Sequence, residues 1–188
     1  MIKYTQEEFN NLPVVEGVKQ CPTGDYSNIK QFGEWCSFGE RCSFGEGCSF
    51  GERCSFGERC SFGKRCSFGE GCSFGEGCSF GERCSFYGYC SFGEYCSFGE
   101  WCSFGKRCSF GEWCSVSNHV LTGFNMRSIS GLGEHKRTMY VWNTEDGFYI
   151  QAGCFFDTVD MFKQAVTDKY GSDHTYIKAV DFLTSDWG

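Results

Sequence analysis

Sixteen cysteines are the first residues of this 188-residue chain that could do chemistry, and fourteen of them recur every six positions from Cys36 to Cys114. Thiols at a fixed spacing can pair as disulfides, hold zinc or act as nucleophiles. Zinc motifs place roughly two to four residues between paired cysteines, whereas five separate neighbours here. The opening residues Met1 to Glu8 lack the long apolar run of a secretion signal. That predicts a cytoplasmic protein whose thiols stay reduced. Cysteine is then a small buried hydrophobe, and its period alone explains its number.

Other reactive residues are sparse. The histidines, His119, His135 and His174, all lie beyond the cysteine array. Glutamate and arginine recur in contiguous rows, the pattern of a solvated surface. No phosphate loop, metal cluster or nucleophile triad is legible. The expectation is no catalytic residue, no metal and no cofactor. The formal charge of −7 argues against nucleic acid, because affinity for phosphate comes from a surplus of Lys and Arg. No apolar run reaches the roughly 18 residues of a membrane span.

The elements that hold the cysteines follow from the repeat. The unit Cys36-Ser37-Phe38-Gly39-Glu40-Arg41 recurs thirteen times through Trp113, and a fourteenth begins at Cys114-Ser115-Val116. Six residues match neither a helical turn nor a heptad. Cys and Phe two apart, then Gly and two polar residues, spell one short strand and one corner. Such units bury themselves only by stacking on copies of themselves, which makes a β-solenoid.

Written as Phe-Gly-Glu-x-Cys-Ser, the unit resembles the hexapeptide repeat of left-handed parallel β-helices, with Phe at the aliphatic site and Cys at the small site. The resemblance implies a left-handed, three-sided solenoid of 18 residues per coil, three sides of six. Folding the sequence by 18 predicts interior columns Phe38-Phe56-Phe74-Phe92-Phe110, Phe44-Phe62-Phe80-Phe98-Val116 and Phe50-Phe68-Phe86-Phe104. Serine faces outward between them. Phe is bulky for a triangular core, so a four-sided or wider coil is an alternative.

The corners carry the variable residues. Arginine dominates the early ones, and Tyr87, Tyr89, Tyr95, Trp101 and Trp113 the later ones. Corner neighbours are expected to pair by salt links and cation–π contacts, such as Arg83 over Trp101 and Arg107 with Tyr89. The unit Cys84-Ser85-Phe86-Tyr87-Gly88-Tyr89 breaks the rule by placing Tyr at the Gly site. Exposed Tyr and Trp are typical of binding hot spots. Tyr87, Tyr89, Tyr95, Trp101 and Trp113, with Glu94 and Glu112, are therefore the candidate partner-binding residues.

Residues 1–33 read as an N-terminal cap. Thr5 and Glu8 fit a capping box, with Tyr4 and Phe9 as its hydrophobic staple. The solenoid spans 34–118. Residues 119–188 read as an α+β cap, with a Gly/Ser-rich loop over 118–137 followed by strands at 138–142 and 148–152. A helix capped by Asp157 carries Val159, Phe162, Val166 and Tyr170. A last helix begins at Asp173 and carries Ile177, Val180, Phe182 and Leu183. The segment Tyr140 to Phe156 is similar to a tail module of uncharacterised phage and prophage proteins, which implies a phage or prophage origin.

The function expected is a non-enzymatic protein-binding module that occludes a host protein, in the host cytoplasm, with homo-oligomers allowed. The alternative is a hexapeptide-repeat acyltransferase using a histidine such as His119. A DNA mimic is a lesser reading, because Glu34 to Trp113 holds eleven Glu against two Lys and six Arg, a net of only −3. A structural or ice-binding solenoid is another, weakened by charged corners and by serine in place of threonine rows.

Overall fold

A computed structural model of the chain describes residues 1–133, 136–153 and 155–185. It contains two compact units, Met1–Asn118 and His119–Gly188.

The first unit is a three-sided parallel β-solenoid. After Cys36–Phe38, the repeat strands are two residues long, Ser and Phe, with a turn between each. Each strand pairs in parallel with the one 18 residues on, as in Ser55↔Ser73 and Phe56↔Phe74. On another face the column ends at Phe98↔Val116. The third column runs one rung lower than the consensus suggests, because Phe32 pairs with Phe50. Backbone amides tie the coils together: Ser73 N–H donates to Cys54 O at 3.0 Å and Gly75 N–H to Phe56 O at 2.8 Å.

The three phenylalanine columns fill the axis. Phe68, fully buried, stacks on Phe50 at 4.9 Å and on Phe86 at 4.8 Å, with planes within 4°. It meets Phe62 and Phe74 edge-on at 5.0 and 5.1 Å, with planes near 90°. Each ring thus stacks within its column and meets rings of the other two columns at right angles, both favourable arrangements for a quadrupole. A triangular coil accommodates Phe because the three families of ring planes are mutually perpendicular.

The lower end is closed by aromatics outside the consensus. Val18–Cys21 lies parallel to Cys36–Phe38. Tyr26 occupies the rung below Phe44, stacked at 5.6 Å, and its hydroxyl donates to Pro22 O at 2.7 Å. The helix Gln6–Asn10 carries the expected capping box between Thr5 and Glu8. The two staple residues both turn to Tyr26: Tyr4 stacks on it at 4.7 Å and Phe9 meets it edge-on at 6.3 Å. Phe9 also lies parallel to Phe38, 6.5 Å away, so it covers the open end of that column.

The second unit is an antiparallel sheet of His119–Leu132, Arg137–Thr144, Gly147–Ala152 and Phe155–Thr158, with helices Val159–Tyr170 and Thr175–Thr184. Met139, Val141, Ile150, Phe162, Val166, Val180 and Leu183 form its core. The segment expected as a loop is instead the long strand His119–Leu132. Pairing with Arg137–Thr144 overrides its Gly/Ser composition, with register shifts between Leu121 and Met126 and between Ile129 and Leu132. The helix caps also move by one residue. Thr158 caps the first helix, while Asp157 accepts from the Thr158 amide; His174 caps the second. Of the apolar residues of the last helix, Phe182 is 70% exposed, while Ala179, Val180 and Leu183 are buried. Glu134 and His135, in the expected loop tip, lie outside the described residues.

Candidate interaction edges

Each corner is Gly-Glu-x, and the first and third positions solve different problems. A Cβ on Gly57 would lie 2.7 Å from Glu40 N and 2.8 Å from Gly39 C in the coil below. Glycine is therefore required by the close approach of stacked coils. The positive φ falls two residues later: 55° at Arg41, 57° at Arg59, 56° at Tyr95 and 59° at Trp113, with Gly at 47, 71 and 77. Left-handed backbone costs a non-glycine residue roughly 1–2 kcal/mol. It also aims the amide at the next coil, so Arg41 N–H donates to Glu58 O and Arg59 N–H to Glu76 O, both at 2.8 Å. The corner thus keeps bulky residues in a conformation that glycine would adopt freely, and projects them from a rigid ladder.

The cysteines are occupied inside. The thiol of Cys78 donates to Gly57 O at 3.4 Å, that of Cys84 to Gly63 O at 3.4 Å, and that of Cys66 to both Gly45 O and Gly63 O at 3.3 Å. Sulfur reaches the inward carbonyl of a corner that the ladder does not use, which a purely apolar side chain would leave bare. Along each column the buried thiols influence one another, so titration belongs to the column. Between neighbours such as Cys36 and Cys54 one thiol holds its proton more tightly at the other's expense, Cys54 being the one raised.

The candidate partner residues are divided among three edges. Glu94, Tyr95, Glu112 and Trp113 share one edge, with Tyr95 and Trp113 about half exposed. Tyr87 and Tyr89 share another, also exposed. Trp101 stands on the third, where Arg83 covers it at 4.8 Å. Arg107 covers Tyr89 at 5.6 Å and Arg53 covers Trp35 at 4.9 Å. The expected pairs Arg83–Trp101 and Arg107–Tyr89 are thus present. The irregular unit leaves the ladder intact: Tyr87 N–H still donates to Phe68 O at 3.0 Å, Tyr89 N–H still donates to Lys106 O at 2.8 Å, and Tyr87 itself projects outward. Salt links Lys64–Glu82 at 2.7 Å and Arg65–Glu46 at 3.4 Å lie on the same edge as Trp101. Folding the corners of the sequence by 18 separates the same residues into these three edges.

The two described histidines, His119 and His174, are structurally engaged. His119 Nδ1 lies 3.1 Å from Asp146 Oδ2, with its ring 4.0 Å from that of Tyr149. His174 Nδ1 accepts from Tyr176 N–H at 3.3 Å as a helix cap. The second unit also holds an apolar cavity of about 180 Å³ lined by Leu132, Met139, Phe155, Phe162, Val166 and Tyr176.

Among protein families, the RNA-binding, Nab2-type zinc finger matches residues 30–45, 42–63, 59–75, 83–99 and 101–115, less than half the chain. Neither curated proteins nor solved structures gave a match. The matched segments hold cysteines every six residues and no histidine, so each lacks the histidine of a CCCH finger. The structure does not fit zinc there. Consecutive cysteines lie on different faces, their thiols donate to corner carbonyls, and among the described residues no cluster of His, Cys, Asp or Glu could hold a metal. The similarity is one of cysteine spacing. Among the described residues no helix is long and apolar enough to cross a membrane.

Proposed function

We propose that the chain is a non-enzymatic protein-binding solenoid of phage or prophage origin, which acts by occluding a host protein. One observation carries the binding reading. Bulky aromatic and arginine side chains are held at left-handed corners, where glycine would cost less, and several remain half exposed. Strain retained at outward positions is typical of functional surfaces. The edge bearing Tyr87 and Tyr89 offers two exposed aromatics at one corner, suited to an apolar pocket on a partner. The test is capture of partners from a bacterial lysate by the intact chain and by Tyr87→Ser/Tyr89→Ser. A partner retained by the first and lost by the second supports the reading. Equal capture by both removes this corner from it.

A further inference from the structure

On two edges, arginine and aromatic residues are neighbours in the stack and satisfy each other: Arg53 on Trp35, Arg107 on Tyr89 and Arg83 on Trp101. The remaining edge has the same ingredients in a different order. It reads Arg41, Arg59, Gly77, Tyr95, Trp113. The two arginines are neighbours, the two aromatics are neighbours, and Gly77 separates the pairs. Arg59 Cγ lies alongside Gly77, 3.4 Å from where its Cβ would be. The aromatics beyond stay 54% and 52% exposed.

This order is self-complementary about Gly77. We propose that the edge pairs with the same edge of a second copy of the chain, running antiparallel about a two-fold axis at Gly77. The pairing places Arg59 of each copy against Tyr95 of the other, and Arg41 against Trp113, with glycine facing glycine at the centre. These are the cation–π pairs that the other edges make internally, now made between chains. An isologous contact of this kind closes at two subunits.

Charge selects the same orientation. The residue before each of these corners is Glu40, Glu58, Glu76, Glu94 and Glu112, an unbroken acidic column. In the arginine half, Arg41 and Arg59 balance Glu40 and Glu58. In the aromatic half, Glu94 and Glu112 stand without a basic corner residue. Antiparallel pairing brings two arginines of one copy to the acidic half of the other, whereas parallel pairing would set arginine on arginine. The stacked rings of this column are 4.9 to 5.1 Å apart, so two such edges stay in register over five rungs. A corner-to-corner contact lies at the small end of specific interfaces, so the association is concentration-dependent and weakened by salt. This inference does not depend on a host partner, and it leaves the Tyr87–Tyr89 corner free.

The test is sedimentation velocity of the full chain at increasing concentration, with two variants. One is Arg41→Ser/Arg59→Ser and the other Tyr95→Ser/Trp113→Ser, all at outward corners. The expected result is a monomer–dimer equilibrium for the parent chain and a dissociation constant raised at least about tenfold in either variant, the equivalent of about 1.4 kcal/mol. An equimolar mixture of the variants should recover part of the dimer, because the arginines of one meet the aromatics of the other across half the interface. A parent chain that stays monomeric at all concentrations overturns the proposal. So does a dimer unchanged in both variants, or a mixture no more associated than its components.

Discussion

Cys78 Sγ lies 3.4 Å from the carbonyl oxygen of Gly57, the corner glycine one coil below. The contact explains why a thiol recurs at the small position of the repeat. It fills the space left by the ring columns and also caps an inward carbonyl. Cys78→Ala removes the donor and leaves that carbonyl buried, at a cost of about 1–3 kcal/mol, with a small cavity added. Cys78→Ser keeps a donor and should lose less. Urea unfolding of the two variants checks the order, which an apolar-filler role would reverse.

The ring columns should dominate stability. Phe68 is fully buried and touches rings of all three columns. Phe68→Ala is expected to cost about 3–5 kcal/mol, read as a lower urea midpoint, against less than about 1 kcal/mol for the outward Ser67→Ala.

The two glycine classes should separate cleanly. Gly57→Ala forces a Cβ to within 2.7 Å of backbone in the neighbouring coil, which cannot yield cheaply. Gly77→Ala meets only the Arg59 side chain at 3.4 Å and adopts φ +67°, at roughly 1–2 kcal/mol. Thermal unfolding should place Gly57→Ala well below Gly77→Ala.

The architecture was legible because a strict period fixes register. Phe56 and Phe74 are partners whether counted in sequence or seen in the sheet. The positive φ at Arg41 or Trp113 was not legible, since composition points to the glycine of the same corner. That glycine is reserved for close approach between coils. The ends were harder because they depart from the repeat. Tyr26 and Phe9 extend the ring columns without the consensus around them, and the strand His119–Leu132 exists only through its neighbour. Of the candidate surface, the residue types were legible, but their division into edges depended on a three-sided coil.

Alkaline pH should unfold the solenoid. Burial pushes the Tyr26 hydroxyl well above its ordinary value. Its folded value therefore lies above its unfolded one. Its contribution is complete below the ordinary tyrosine range at roughly 10 and is lost as pH rises beyond it. Circular dichroism across this range should show a falling melting temperature. A flat profile would mean that this group ionises without cost.

The most direct measurement is thiol reactivity of the folded chain, with metal content read by mass spectrometry on the same sample. Among the fourteen repeat cysteines only Cys108 is partly exposed, so a bulky thiol reagent should label it and spare the others until denaturant is added. The intact mass should match the chain with repeat thiols reduced and no zinc. Rapid labelling of the other thirteen in the folded state, or zinc released in proportion to their modification, would contradict a core built from rings and carbonyl-capping thiols.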